Sequence, residues 1–121
     1  MENQVSYLQS EDVGTLFLND ERDFLVFRAG SGTTVEIFDI AIGSERRVGK
    51  GRLLVNTLIS KYLPKGTTLV WVITRSSNGI ARDFYEALGF RVVGDLKCLY
   101  GRKGTDEEAV VDAIMYGKDV G

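Results

Sequence analysis

Short runs of β-branched and aromatic residues, separated by polar turns, dominate the first third of the chain. They predict a strand over 5–9 (VSYLQ) and two more strands on either side of a polar turn at Asn19–Asp23. A longer strand is predicted over 34–42 (TVEIFDIAI), which has few polar residues, as is typical of a strand covered on both faces. The chain therefore opens with antiparallel strands.

A helical period replaces this pattern after residue 50. Leu54, Leu58 and Tyr62 recur at i, i+4 and i+8, which predicts an amphipathic helix that ends at LPKG. The nearly continuous apolar stretch TLVWVITR, residues 68–75, predicts a strand after that helix.

A second helix is predicted within SSNGIARDFYEALGF. Asn78 is suited to cap its start, and Gly89 to end it. Ile80, Phe84 and Leu88 are spaced to form its buried stripe.

A strand over 90–94 (FRVVG) follows, and the tail then allows two interpretations. Thr105 and Glu108 form a capping-box pattern that favours a helix, whereas DAIMYGK, residues 112–118, has high strand propensity. The final strand is preferred. The predicted order from residue 34 onwards is a strand, the glycine-rich segment 45–54 (the glycine turn), a helix, a strand, a helix and a strand. With the antiparallel strands before it, this order predicts an α/β sandwich with a mixed sheet.

Composition narrows the class of protein. The 121 residues are enough for one domain, 1–121, and a net charge of −2 offers nucleic acid or anionic membranes no global attraction. With no histidine and only Cys98, a zinc site and an intramolecular disulfide are both excluded, and a reducing cytoplasm is the expected compartment. No apolar run approaches the length of a membrane span, and no signal peptide is recognisable.

The segment ERRVGKGRLL, residues 45–54, joins the long strand to the first helix. Its glycines would let the backbone approach an anion, and the unpaired N–H groups at a helix start attract one. A tight turn with solvated cations is the plain alternative. The four cations that would add positive potential are Arg46, Arg47, Lys50 and Arg52.

Two nucleotide motifs do not fit this segment. A Walker A loop would need one residue fewer between Gly43 and Gly49, and a hydroxyl where Gly51 stands. A dinucleotide fingerprint would need a third glycine, which Leu54 replaces.

RRVGKG instead reads R-x-x-G-x-G, which resembles the pyrophosphate-binding signature of the GNAT superfamily of acyl-CoA N-acyltransferases. NGIARDFYEALGF is similar to the family's N-x-x-A-x-x-[FL]-Y-x-x-x-G-F element, and DAIMYGK resembles its last strand. The resemblance covers about residues 34–118. It implies a GNAT-like three-layer sandwich, with a mixed, mostly antiparallel sheet and a βαβαβ core.

The resemblance also implies acetyl-CoA as co-substrate and no metal. Asn78 matches an asparagine that contacts the pantetheine arm, which would lie along the strand ending at Ile42. One of that strand's N–H groups would stabilise the tetrahedral oxyanion. The residues implied in cofactor binding are Ile40, Ala41, Ile42, Arg46, Arg47, Val48, Gly49, Lys50, Gly51, Arg52, Asn78 and Tyr85.

Tyr85 matches the family's general acid. Phenols have a pKa of about 10 and can protonate a departing thiolate, whose pKa is near 8.5. A tyrosine that merely packs on the helix is the alternative, and Tyr100 is the fallback acid. Cys98 is not expected to act as a nucleophile, because no base stands near it in the sequence.

The general base is less well defined by the resemblance. Glu36 is preferred to Asp39, since family members often carry a glutamate on this strand, and regular alternation would place the two on opposite faces. Water-relayed proton removal is equally consistent with the sequence, as is a purely structural role for either carboxylate.

The chain departs from the family near its start. Most relatives have two helices between their first and second strands, but here only residues 10–14 separate VSYLQ from TLFLN. The acceptor side is therefore expected to be open, or completed by a partner subunit in a homodimer.

The function expected from the resemblance is acetyl transfer from acetyl-CoA to a primary amine, by direct attack in a ternary complex. The acceptor could be a small molecule or a protein amine. A non-catalytic acyl-CoA-binding regulatory module is the alternative. Nucleic-acid binding is disfavoured, because the arginine cluster is short and has no interleaved aromatic residues.

Overall fold

The computed structural model describes residues 4–18, 23–30, 32–42, 49–97 and 112–121. The chain forms two compact units, one of residues 1–70 with 120–121 and one of residues 71–119. Within the described residues the fold is mixed α/β, with two α-helices and a seven-stranded mixed sheet. The predicted fold class is confirmed.

The first unit contains four strands and a helix that continues into a π-helical turn. Most predicted boundaries are right to within two residues, but Asp23, expected in a turn, is the first residue of a strand. The elements are β1 (Val5–Ser10), β2 (Val13–Leu18), β3 (Asp23–Ala29), β4 (Thr34–Ile42), α1 (Lys50–Thr57) and the π-helical turn Leu58–Tyr62. The chain passes to the second unit within β5 (Leu69–Arg75).

The four strands of this unit pair in chain order, each antiparallel to the next. Leu16 of β2 lies opposite Leu25 of β3, and Leu25 lies opposite Ile40 of β4. Alternate residues of β2 and β3 are buried, so that one face of these strands forms the core. The buried side chains of this unit include Leu16, Leu18, Leu25, Phe27, Val35, Ile37, Leu54, Val55 and Leu58.

A β-bulge interrupts β4. Val26 pairs with Asp39 and Phe27 with Ile37, which leaves Phe38 as an extra residue on β4. A bulge of this kind bends the strand and shifts the alternation of its side chains by one position. Phe38 is accordingly 60% exposed.

The bulge overturns the expectation that Glu36 and Asp39 lie on opposite faces. Residues directly opposite each other in an antiparallel pair project from the same face. Glu36 pairs with Arg28 and Asp39 with Val26, and these two β3 residues are two apart. Glu36 and Asp39 therefore share a face.

The second unit contains the rest of β5, one helix and two further strands. The elements are α2 (Gly79–Ala87), β6 (Arg91–Leu96) and β7 (Ala113–Asp119). The strand order is β5-β7-β6, and β6 and β7 are antiparallel. The prediction of a final strand is confirmed, whereas the capping-box pattern at Thr105 and Glu108 lies outside the described residues.

The buried stripe predicted for α2 is partly wrong. Leu88 is buried and Phe84 is half-buried, but Ile80 is 75% exposed. Tyr85, which is buried, faces the interior together with Leu88. Ile80 precedes Tyr85 by five positions, about 140° round a helix with 3.6 residues per turn, and so projects towards solvent.

Candidate functional site

The described part of the glycine turn begins at Gly49, since Arg46, Arg47 and Val48 lie outside the described residues. Gly49 has φ 79° and ψ 13°, a left-handed conformation that favours glycine. A Cβ placed on Gly49 would meet no atom of the described residues within 4 Å. The described part of the chain therefore leaves open space beside this glycine.

The start of α1 is suited to receive an anion. Gly49 has no side chain to cap the helix, and no acidic residue occupies the first turn. The first helical hydrogen bond runs from the N–H of Leu53 to the Gly49 carbonyl, at 2.9 Å. The N–H groups of Gly51 and Arg52 precede it, and a helix provides no carbonyl for such groups. Together with the helix dipole they favour a negatively charged ligand.

The side chain of Lys50 forms an ion pair that the sequence did not predict. Its ammonium group lies 3.4 Å from the carboxylate of Asp23, which is only 2% exposed. Lys50 itself is 19% exposed. Its charge therefore compensates a buried carboxylate, and its expected contribution to the positive potential around the turn stays a prediction.

This ion pair ties the start of β3, beside the end of β4, to the start of α1. Ile42, the last residue of β4, lies directly opposite Asp23. Ile40, Ala41 and Ile42 are half-buried and pair with β3. The structure thus brings the proposed pantetheine strand and the described part of the glycine turn together within the first unit.

The two candidate bases differ in their surroundings. The Glu36 carboxylate accepts a hydrogen bond from Arg28 at 3.0 Å and is 16% exposed. The Arg28 guanidinium also lies 4.8 Å from the centre of the Phe38 ring. Asp39 is exposed, and no side-chain hydrogen bond or ion pair joins it to another described residue. Asp39 is therefore the more accessible carboxylate on this face.

Asn78 is the N-cap of α2, as predicted. Its Oδ1 accepts a hydrogen bond from the N–H of Ala81 at 3.1 Å. Its own backbone is held on both sides, because its N–H donates to Arg75 and its carbonyl accepts from Arg82. The side-chain Nδ2 is the group that Asn78 could offer to a ligand.

The segment Leu88-Gly89-Phe90 ends α2 and fixes Tyr85. Gly89 has φ 89°, and the N–H of Phe90 donates to the Tyr85 carbonyl at 3.0 Å, as in a Schellman motif. The Phe90 ring also packs edge-on against Tyr85, with 5.5 Å between ring centres. The glycine-phenylalanine pair of the sequence signature is therefore the device that anchors Tyr85, which is only 3% exposed.

Sequence reasoning missed a polar cluster beside Tyr85. The buried Tyr116 hydroxyl donates to Glu86 at 2.6 Å and accepts from Arg82 at 3.2 Å. Burial, followed by the hydrogen bond to Glu86, raises the pKa of Tyr116 above its ordinary value. The only sequence signal was the i, i+4 spacing of Arg82 and Glu86, which is common on solvated helices.

Tyr100 and Cys98 lie outside the described residues. Within the described ranges no three acidic, cysteine or histidine side chains cluster as metal ligands would. None of the described helices has the length and apolar character needed to span a membrane.

Comparison with known proteins decides the family. Residues 7–90 match the sequence model of the Acetyltransferase (GNAT) family. The chain belongs to this family. The resemblance seen in its glycine turn and its asparagine-tyrosine element is thereby confirmed.

Curated relatives of this GNAT chain include N-acetyltransferases named for a ribosomal protein. It is 32% identical over 79 residues to the [ribosomal protein bS18]-alanine N-acetyltransferases of Salmonella typhimurium and Escherichia coli K12. The match covers 64% of this chain and 53% of each relative, so the chain spans about half the length of the curated relatives it matches.

Solved structures agree on the fold. The ribosomal-protein-S18-alanine N-acetyltransferase of Escherichia coli superposes with a TM-score of 0.75 at 25% identity, covering 93% of this chain and 72% of that one. A GNAT family acetyltransferase of Elizabethkingia anophelis with acetyl-CoA bound gives 0.77 at 19% identity, over 91% and 78% of the two chains. The second likeness concerns the fold alone.

Proposed function

We propose that this GNAT chain transfers an acetyl group from acetyl-CoA to a primary amine. The observation that carries the proposal is the start of α1, where the helix follows a left-handed glycine and the described residues provide neither a capping side chain nor an atom within 4 Å of a Cβ on that glycine. In a family of acetyltransferases, that arrangement suits the pyrophosphate of acetyl-CoA. The N–H groups of Gly51 and Arg52 would hold it, and Arg46, Arg47 and Val48 complete the proposed turn.

The proposed reaction is a direct attack in a ternary complex. The amine nitrogen forms a bond to the thioester carbonyl carbon, the carbon–sulfur bond breaks, and the CoA sulfur leaves as a thiolate. Tyr85 would give its hydroxyl proton to that sulfur as general acid. A backbone N–H from Ile40, Ala41 or Ile42 would stabilise the oxyanion, and the Nδ2 of Asn78 would contact the pantetheine arm.

The incoming amine must lose a proton before or during attack. Glu36 and Asp39 share one face of the first unit, so both stay candidates for the base, as does relayed water. Glu36 would have to share its carboxylate with Arg28, whereas Asp39 is exposed. We therefore propose Asp39 as the first base to test and Glu36 as the second.

The names of the curated relatives suggest which amine to try first. Those proteins are alanine N-acetyltransferases for a ribosomal protein. We propose the α-amine of a protein N-terminus, beginning with alanine, as the acceptor class, with small primary amines as the comparison.

We also propose a cytoplasmic location, because the chain has a single cysteine, and we propose that the chain forms a homodimer.

Ligand-dependent thermal unfolding tests the cofactor. Acetyl-CoA and CoA at about 100 times their dissociation constants should each stabilise the protein by roughly 2.7 kcal/mol, a rise in Tm on the order of 10 °C, while Mg-ATP should not. Gly49→Asp should abolish that rise. Gly32→Asp is the matched control, because Gly32 is also left-handed, with φ 75° and open space beside it. A Gly49→Asp protein that still responds to CoA would contradict the proposed turn.

Release of free CoA thiol, measured with an alanine-initiated peptide, tests the enzyme itself. Tyr85→Phe should lower kcat by on the order of 10²- to 10⁴-fold and leave the CoA-induced rise in Tm intact. A wild-type protein that binds acetyl-CoA but releases no thiol with any peptide or amine would instead indicate the regulatory acyl-CoA-binding module. No rise in Tm with either CoA compound would refute both functions.

A further inference from the structure

A buried hydrogen-bonded cluster joins α2 to β7 in the second unit. Tyr116 of β7 is fully buried, and its hydroxyl group meets two side chains of α2. It donates to Glu86 Oε2 at 2.6 Å and accepts from Arg82 Nε at 3.2 Å. One hydroxyl thus connects two residues that are one helical turn apart.

The same cluster reaches the turn that carries Asn78. Arg82 Nη1 donates to the carbonyl of Ser76 at 3.0 Å, and the Arg82 N–H donates to the carbonyl of Asn78 at 3.0 Å. The guanidinium therefore spans from β7 to the turn between β5 and α2. Displacing Arg82 would disturb the turn as well as the helix.

The ring of Tyr116 lies beside Tyr85. The two ring centres are 6.1 Å apart with an interplanar angle of 31°, and Phe90 contacts Tyr85 edge-on at 5.5 Å. A third ring, that of Phe84, also contacts Tyr85 edge-on, with 5.0 Å between ring centres. Phe84 lies on α2 and Phe90 just beyond its end, so Tyr116 is the one of these three neighbours that another element contributes.

We propose that Tyr116 is a positioning residue for Tyr85, and that Arg82 and Glu86 hold Tyr116 where its ring contacts the ring of Tyr85. The inference rests on the proposed function, in which Tyr85 gives its proton to the CoA sulfur. Proton transfer requires the hydroxyl to lie within hydrogen-bonding reach of that sulfur, so a small tilt of α2 against β7 slows the step.

Two features of the cluster suit this role. A phenol is protonated across the physiological pH range, and burial raises the pKa of Tyr116 further, so its hydroxyl stays a donor to Glu86. Glu86 and Arg82 have opposite charges, and each binds a different side of the hydroxyl. The link therefore has one preferred orientation, in which Tyr116 donates to the carboxylate and accepts from the guanidinium.

The test compares single and double variants. Tyr116→Phe keeps the ring and removes both hydrogen bonds, and it should lower kcat about tenfold with KM for acetyl-CoA changed less than twofold. In a Tyr85→Phe background the same change should have no further effect on residual kcat, since Tyr116 acts through Tyr85. An equal loss in both backgrounds, or no loss in either, would overturn the proposal.

Two further variants separate positioning from general stability. Glu86→Gln retains an oxygen acceptor for the Tyr116 hydroxyl and should keep most of the activity, whereas Glu86→Ala should behave like Tyr116→Phe. Tyr62→Phe is the matched control, a tyrosine-to-phenylalanine change in the π-helical turn of the first unit. It should leave kcat unchanged. Equal kcat in Glu86→Gln and Glu86→Ala would refute the role of the carboxylate.

A measurement without turnover distinguishes this inference from the proposed function. In protein with ¹³C-labelled tyrosine rings, Tyr116→Phe should shift the Tyr85 ring signals and speed up ring flipping, and Glu86→Gln should not. If the wild type releases no thiol, the proposed function fails, and an altered Tyr85 signal would still support the positioning contact. Unchanged Tyr85 signals in Tyr116→Phe would overturn the inference even in an active enzyme.

Discussion

The two helices begin in contrasting ways, although each comes after a strand in the chain. α1 starts at Gly49, which has no capping side chain, and the support near its first residue is the ion pair of Lys50 with buried Asp23. α2 starts at Asn78, whose own side chain caps the N–H of Ala81. Among the described residues no side chain caps the first helix, whereas the second helix supplies its own cap.

This contrast separates two kinds of ligand contact. A backbone N–H that lacks a protein acceptor can bind a phosphate with little change in the protein, which suits the start of α1. At α2 the amide oxygen of Asn78 already accepts from Ala81, so the Nδ2 group is the more available contact for a ligand. The first helix start is thus suited to an anion, and the second to a hydrogen-bond acceptor.

The largest expected effect tests the support beneath α1. Lys50→Met keeps the aliphatic stem but leaves the buried Asp23 carboxylate without its ammonium partner, and it should lower the free energy of unfolding by about 3 kcal/mol. Urea unfolding followed by circular dichroism measures the change.

Two controls accompany this prediction. Lys61→Met, at an exposed lysine of the π-helical turn, should change stability by less than about 0.5 kcal/mol. Asp23→Asn in the Lys50→Met background should recover part of the loss, because it removes the buried charge. If Lys50→Met were no less stable than Lys61→Met, the ion pair could not be what supports the start of α1.

A smaller effect is expected at the start of α2. Asn78→Ala removes the cap and should cost about 1 kcal/mol, whereas Asn78→Asp keeps an oxygen acceptor for Ala81 and should be nearly neutral. Both variants remove Nδ2, so both should weaken acetyl-CoA binding in calorimetric titration. Unchanged affinity in Asn78→Asp would restrict Asn78 to its capping role.

Most of the fold could be predicted from the sequence, because its elements depend on local patterns. The residues of β4 were predicted without error at 34–42. A β-branched run between SGT, residues 31–33, and the charged segment 45–54 leaves few alternatives to a strand. Asp23 was misplaced because it stands in a polar segment, yet its carboxylate is buried against a lysine 27 positions further along the chain. Composition alone cannot reveal such a partner.

The candidate site was less predictable for similar reasons. The bulge at Phe38 leaves no trace in the pattern, because the neighbouring positions of FDIAI are mostly apolar whichever face they take. The partners of Tyr116 are 30 and 34 positions away, on another element. The motifs identified the residues that match the family, whereas contacts between distant segments supply their surroundings.

The smallest expected effect concerns the side chains that hold α2. The pKa of Tyr116 is raised in the folded protein, chiefly by burial and then by the hydrogen bond to Glu86. In the unfolded chain this tyrosine loses its proton near pH 10, before the folded form does. Its contribution is therefore complete below that pH and is lost as the pH rises towards the folded pKa. Urea midpoints measured from pH 8 to 11 should fall more steeply for the wild type than for Tyr116→Phe, while Tyr62→Phe should follow the wild type. Parallel curves for the wild type and Tyr116→Phe would show that the hydroxyl does not hold α2 in the way inferred from its contacts.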